Sequence, residues 1–275
     1  MNNKKFYSNK IAIVTGGASG IGKAICDYLA KYGSIVIIAD INLQSAQDTV
    51  KEITTKGGKA KAIQVDVSKE ENIKSLIDDA FTEFGRIDFL FNNAGVSLNG
   101  EFKDTTYDHW RKIIDINLWG VIHGSHHVYH IMMKQGFGQI INTASLAGLI
   151  PGGLTISYST SKYAVVGFTL SLRSEAGFYG IKVNALCPGF IRTNIQATTP
   201  IVTDYMKSEK NRSMGSNFGP TPEKCVKKIM RGVKRNKAII ISPGLHKIFW
   251  ILNRFFPLFN VKMFTKVIRR MKKQG

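Results

Sequence analysis

The sequence predicts a doubly wound, seven-stranded parallel α/β sheet with a helical C-terminal appendage, and three observations carry that reading. Short β-branched runs alternate with longer amphipathic stretches, which is the pattern of successive βαβ units. A glycine-rich turn follows the first run and opens the first amphipathic stretch, as in open parallel sheets that bind ligands at their strand ends. The 275 residues, 44% of them apolar, suit one large domain with ample material for a core.

In chain order the strands are expected at residues 11–15, 35–39, 60–65, 89–92, 139–143, 182–186 and 238–241. Helices are expected between them, near 21–31, 43–56, 70–84, 106–134, 157–179 and 222–233. No internal repeat or low-complexity linker interrupts the order, so residues 1–244 are expected to form one binding and catalytic domain, with 245–275 as an extension. The cysteines, Cys26, Cys187 and Cys225, are odd in number and far apart. They offer neither a disulfide framework nor zinc spacing, which favours a reducing compartment. The polar stretch Met1 to Lys10 runs straight into the first strand and leaves no room for a signal-peptide core, so a cytoplasmic location is expected.

The formal net charge of +19 is unevenly placed. From Lys224 onward there are 15 Lys and Arg and no Asp or Glu, leaving 23 basic and 19 acidic residues before it. The charge is therefore a property of the C-terminal segment and not of the whole surface.

The first turn reads Thr15-Gly16-Gly17-Ala18-Ser19-Gly20-Ile21-Gly22. Glycine is wanted where the backbone turns tightly and comes close to a pyrophosphate, and the following helix N-terminus offers unpaired N–H groups to it. Gly16, Gly20 and Gly22, with Ser19 and Ile21, are the candidate phosphate contacts. Asp40 ends the second strand, 18 residues after Gly22. There a carboxylate accepts hydrogen bonds from both ribose hydroxyls of NAD and repels the 2′-phosphate of NADP. The turn holds no Arg or Lys to offset that repulsion, so NAD is the expected cofactor. The plainer alternative is that Asp40 only caps a loop.

Ser145 ends the fifth strand, and Tyr158 and Lys162 lie four apart on one face of the next helix. A phenol with a pKa near ~10 is a poor base at neutral pH, and a nearby ammonium favours the phenolate. Such a tyrosine can give a proton to a nascent alkoxide or take one from an alcohol. Ser145 could hydrogen-bond the substrate oxygen. Taken alone, Tyr158 and Lys162 could equally be an ordinary surface pair.

Thr15–Gly22, Asn92-Asn93-Ala94-Gly95, Asn117, Ser145, Tyr158–Lys162 and Pro188-Gly189 together resemble the short-chain dehydrogenase/reductase superfamily. The resemblance runs from about Lys10 to Thr193, in the family's order, with 13 residues from Ser145 to Tyr158. It implies an acid/base role for Tyr158, and a Lys162 that both lowers its pKa and binds the nicotinamide ribose. It also implies that Ser145 orients the substrate oxygen and that Asn117 holds a relay water. Asp66 and Val67 would flank the adenine, and Asn93, Ala94 and Gly95 would line the cofactor cleft. Pro188, Gly189, Ile191 and Thr193 would complete the cleft, the last two at the nicotinamide amide. A homodimer or homotetramer is implied, with the helix around His123–His130 in the dimer interface.

That helix carries His123, His126, His127 and His130 at helical spacing, but no acidic or Cys ligand accompanies them in the stretch, so no metal is expected. The 190–219 segment, of mixed polarity, is expected to fold over the substrate. From Leu245 to Lys273, Phe249, Trp250, Leu252, Phe255, Phe256, Leu258, Phe259, Met263 and Phe264 interleave with Lys247, Arg254, Lys262 and Lys266. Charges and Pro257 interrupt the run, which excludes a transmembrane helix. Two short basic amphipathic helices on an anionic membrane fit it. The alternative is a tail packed on a partner subunit or over the substrate mouth. Nucleic acid is not an expected partner, because nothing else resembles a nucleic-acid module.

The expected function is hydride transfer between NAD(H) and a small, lipophilic alcohol or ketone. The rivals are a catalytically silent NAD-binding scaffold and a membrane-surface adaptor. All four catalytic positions are filled, which argues against the first rival.

Overall fold

The computed structural model describes residues 3–193, 195, 198–207 and 219–274. Its strands are β1 (Ile11–Thr15), β2 (Ile35–Asp40), β3 (Lys59–Gln64), β4 (Phe89–Asn92), β5 (Gly138–Thr143), β6 (Ile181–Pro188) and β7 (Ile239–Ser242). They form one parallel sheet in the order β3-β2-β1-β4-β5-β6-β7. The helices are α1 (Asn3–Tyr7), α2 (Gly20–Lys31), α3 (Leu43–Thr55), α4 (Glu70–Phe84), α5 (Tyr107–Ile114), α6 (Gly120–Gln135), α7 (Ile156–Ala176), α8 (Pro222–Lys234), α9 (His246–Phe255) and α10 (Pro257–Gln274).

Central strand β1 is buried along its whole length, as a strand covered on both faces must be. Ala12 and Val14 point to a core shared with α2, α3 and α8. Ile11 and Ile13 point to the opposite core, built with α4, α6 and α7. Edge strand β3 exposes Lys59 and Lys61 instead, and charges there discourage pairing with another chain.

The strand order reverses between β1 and β4, neighbours in the sheet although not in sequence. A ligand crevice belongs outside the carboxyl ends of the strands at such a switch point. Thr15, Val67, Asn92, Ala94, Ile116 and Val121 line a small cleft there.

Two elements depart from expectation. The stretch expected as one helix over 106–134 is α5 and α6 joined by a π turn, Asp115–Trp119, closed by the Gly120 N–H on the Asp115 carbonyl. A π turn is a single-turn bulge inside an otherwise regular helix, and the sequence reads as one helix across it. The N-terminal segment, read only as polar, forms α1 and buries Tyr7, whose hydroxyl donates to the Met230 carbonyl at 2.9 Å. The tail does form two helices, α9 and α10, separated at Pro257. The 190–219 segment, expected over the substrate, lies partly outside the described residues.

Candidate active site

The first turn is shaped by what it cannot hold. Gly16 has φ +61°, and a Cβ there would meet Ala94 Cα at 2.8 Å. A Cβ on Gly22 would lie 2.0 Å from the Gly16 carbonyl oxygen and 2.6 Å from Asn93 Nδ2, so not even alanine fits. Ser19 caps α2 by position but makes no side-chain cap hydrogen bond, leaving the first-turn amides of Gly20, Ile21 and Gly22 without one. A bare helix N-terminus behind a glycine cradle suits a pyrophosphate. Thr15 and Asn93 hold the cradle closed. Thr15 Oγ1 accepts from the Asn93 and Ala94 N–H groups at 3.0 and 3.1 Å, and Asn93 Nδ2 donates to the Thr15 and Gly16 carbonyls at 3.1 Å each.

Asp40 lies at the end of β2 beside this cradle. Its Oδ2 accepts from the Ala18 N–H at 3.0 Å and its Oδ1 from the Asn42 N–H at 3.1 Å. Asp40 therefore braces the glycine turn, as the plain capping alternative requires, and both oxygens keep further acceptor capacity for ribose hydroxyls. Asp66 turns back on its own loop, accepting from the Ser68 N–H and hydroxyl at 3.0 and 2.7 Å. Its neighbour Val67 is buried against Gly120 at the start of α6. A glycine cradle, an uncapped helix start and a strand-end carboxylate form a donor and acceptor set that fits a dinucleotide.

Across the switch point the groups are side chains held deep in the fold. Lys162, 3% exposed, donates from Nζ to the Thr143 carbonyl at 2.9 Å. Its ammonium lies 5.6 Å from the centre of the Tyr158 ring. Gly95 marks where the site converges: a Cβ there would stand 3.1 Å from Asn117 Oδ1 and 3.4 Å from Lys162 Nζ. Ser145 lies at the end of the β5 strand, where its Oγ accepts from the Ala147 N–H at 3.1 Å. It also hydrogen-bonds Tyr158 and favours the phenolate.

Burial decides both ionisations. It pushes the Tyr158 phenol above its ordinary value, with the Cys187 thiol adding to the rise and Ser145 opposing it. Burial also draws the Lys162 ammonium down to about 8. Ser145 opposes the rise at Tyr158, and desolvation outweighs it. Asn117, fully buried in the π turn, spends its side chain on structure. It donates to the Val96 carbonyl at 2.9 Å and to Ser161 Oγ at 3.1 Å, and accepts from the Val96 N–H at 2.9 Å.

The last segment closes the cleft. Pro188 ends β6, and the Gly189 N–H donates to the Ser242 carbonyl at 2.9 Å. Ile191 is buried, and the Thr193 side chain lies over Gly20, 3.4 Å from where a Cβ would be. Thr193 therefore brings the end of this segment onto the glycine turn.

Several contributors were not singled out from the sequence. Thr143 receives Lys162, Ser161 joins Asn117 to the Tyr158 carbonyl, and Cys187 lies beside Tyr158 and Lys162, its thiol pushed up to about 12 by burial. Beneath them Asn92 donates to Ser125 and Asn142, and Asn142 to Thr169. The available clue was polar residues at positions where a strand pattern requires burial. Among the described residues no three His, Cys, Asp or Glu side chains gather as a metal site. His127 instead pairs with Glu70 of α4 at 3.2 Å.

Comparison with known proteins places this arrangement. A family model described as short chain dehydrogenase matches residues 10–201. The chain is 37% identical over 212 residues to a cyclohexanol dehydrogenase of an Acinetobacter species, covering 76% of this chain and 80% of that one. It is 37% identical over 193 residues to 3beta-hydroxysteroid dehydrogenase 2 of Eggerthella lenta, covering 68% and 73%. A Burkholderia phymatum short chain dehydrogenase/reductase, solved in complex with NAD, shares the fold with TM-score 0.82 over 93% of this chain and 96% of that one, at 24% identity.

Proposed function

The chain belongs to the short-chain dehydrogenase family and is an oxidoreductase of alcohol and carbonyl groups, and we propose that it uses NAD(H) and acts on a lipophilic substrate. The observation that carries the proposal is a chain of contacts opposite a dinucleotide cradle: Asn117 and Lys162 meet at Gly95, the Lys162 ammonium lies 5.6 Å from the Tyr158 ring centre, and Ser145 reaches Tyr158. Bound NAD supplies the hydride acceptor, or as NADH the donor.

Tyr158 takes the hydroxyl proton as an alcohol is oxidised and returns it as a carbonyl is reduced. A phenol whose pKa is raised by burial stays protonated at neutral pH, ready to act as the acid of reduction. Ser145 orients the substrate oxygen, and Lys162 positions the cofactor ribose while anchored to Thr143. Because the Asn117 side chain is committed to Val96 and Ser161, any relay water would rest on its main chain. Gly16, Ser19, Gly20, Ile21 and Gly22 hold the pyrophosphate, and Asp40 selects against a 2′-phosphate. Asp66, Val67, Asn93, Ala94, Gly95, Pro188, Gly189, Ile191 and Thr193 line the remaining cleft.

A lipophilic substrate is supported by the cyclohexanol and hydroxysteroid relatives. We further propose a cytoplasmic homodimer or homotetramer, with α6 at the subunit interface. The test is a screen of aliphatic, steroid-like and retinoid-like alcohols with NAD and with NADP, following the absorbance of reduced cofactor. Turnover with NAD on at least one apolar alcohol is expected. Preference for NADP, or turnover of polar alcohols only, would contradict the reading.

A further inference from the structure

The two C-terminal helices present opposite chemistries on their two faces. The inner face is satisfied by loops around the active site. His246 packs against Gly189 and Phe190, and Trp250 joins the cluster of Val121, Leu149 and Val165. Asn253 donates to the Leu149 carbonyl at 3.4 Å, Asn260 donates to Asn253 at 2.9 Å, and Ile268 touches Gly153. Near the end of α10, Lys272 pairs with Glu101. The tail therefore lies across the loops that follow β4, β5 and β6. The sequence had left open whether it covers the substrate mouth.

The outer face is unpartnered. Ile248, Ile251, Leu252 and Phe255 recur at i, i+3, i+4 and i+7 along α9, and are 53%, 40%, 40% and 75% exposed. At the corner between the helices Phe256, Leu258 and Phe259 are 63%, 64% and 54% exposed. Scattered exposed apolar residues are ordinary, whereas a stripe of this kind marks an interaction surface. Lys247 and Arg254 flank the stripe, and the solvent side of α10 carries Lys262, Lys266, Arg269 and Lys273. No carboxylate occurs from Lys224 to the end of the chain.

We propose that this outer face docks on an anionic lipid surface, its apolar stripe among the acyl chains and its cations at headgroup level. No helix among the described residues is long and apolar enough to cross a membrane, so the contact is peripheral. A second copy of the chain is a poorer occupant, because a two-fold interface would join two identical basic surfaces without a carboxylate between them. An acidic protein would answer the charge. It would not answer the exposed aromatic corner, which suits insertion into a yielding medium. Docking would also turn the loops around the site toward the lipid. That consequence rests on the lipophilic-substrate reading, while the docking itself does not.

The test uses the full chain, without cofactor or substrate, sedimented with vesicles of phosphatidylglycerol and phosphatidylcholine or of phosphatidylcholine alone, at low and high salt. Binding should be at least about tenfold stronger on the anionic vesicles, and salt should weaken it without abolishing it. Phe255→Glu should lower it at least about tenfold while leaving thermal unfolding unchanged, since this side chain is exposed. Replacing Lys262, Lys266 and Arg269 by Gln should weaken it roughly fivefold for each charge removed. Absence of vesicle binding, or equal binding by wild type and Phe255→Glu, would overturn the proposal. So would binding to polyglutamate without binding to vesicles, or a dimer that Phe255→Glu dissociates in a protein that ignores vesicles. None of these outcomes bears on the catalytic reading, which the alcohol screen decides separately.

Discussion

The two sides of the switch point hold their functional groups by opposite means. On the β1–β2 side the site is made of backbone and missing side chains: Gly16 and Gly22 leave the space, α2 starts without a cap, and Asp40 sits at the rim. On the β4–β6 side it is made of side chains taken out of water, with Lys162 3% and Asn117 0% exposed. The first arrangement binds by shape and dipole at little cost in burial. The second accepts the desolvation of an ammonium so that a phenol and an amine are held in fixed relation. A site of the first kind should fail where a side chain enters the cradle, and one of the second where a side chain is lost.

Lys162→Met sharpens this contrast most. Activity should fall about a hundredfold, the usual cost of misplacing a reactant, and steady-state kinetics would show it. Loss of less than about tenfold would place Lys162 outside the machinery.

The same substitution has a stability signature. The folded-state pKa of Lys162 is about 8 against an ordinary 10.5. Between those values the unfolded chain binds a proton that the folded chain does not, so stability should rise with pH across that window. The contribution is about 3 kcal/mol at most. Tyr158 and Cys187, raised by burial, push the other way in both proteins. Urea unfolding should therefore show wild type gaining stability relative to Lys162→Met from the lower to the upper end of the window. Equal slopes in the two proteins would contradict the burial of a charge at this position.

The rim side should give the smallest effect. Asp40→Ala removes a repulsive charge without adding a basic partner, so kcat/KM for NADP relative to NAD should rise by roughly ten- to a hundredfold. Because Asp40 also receives the Ala18 N–H, some loss with both cofactors is expected. An unchanged ratio would leave Asp40 as a brace alone.

The same contrast governs what could be read from the sequence. The glycine spacing, the carboxylate after β2 and the Tyr158–Lys162 pair are local patterns, and the strands are β-branched runs, so all were legible. Thr143 and Cys187 reach Lys162 and Tyr158 from separate elements, and nothing in their own neighbourhood marks them. Ser161 lies inside the Tyr158–Lys162 motif, and only its partner Asn117 was hidden. The balance of influences on Tyr158 was not legible, because the largest of them is burial, which only the assembled fold sets. The π turn was missed because it is a single turn with regular helix on both sides. In the tail, periodicity announced a buried and an exposed face, but the cover of the buried one required Gly189, Leu149 and Gly153 to be brought together by the sheet.

Tyr158→Phe tests the central claim most directly, because the ring and its packing remain and only the proton-transferring hydroxyl is lost. Turnover would be followed through the absorbance of reduced cofactor, and NADH binding through its fluorescence. The expected result is a fall in turnover of at least about a hundredfold with NADH affinity nearly unchanged. Retention of more than about a tenth of wild-type turnover would contradict the assignment of Tyr158 as acid and base.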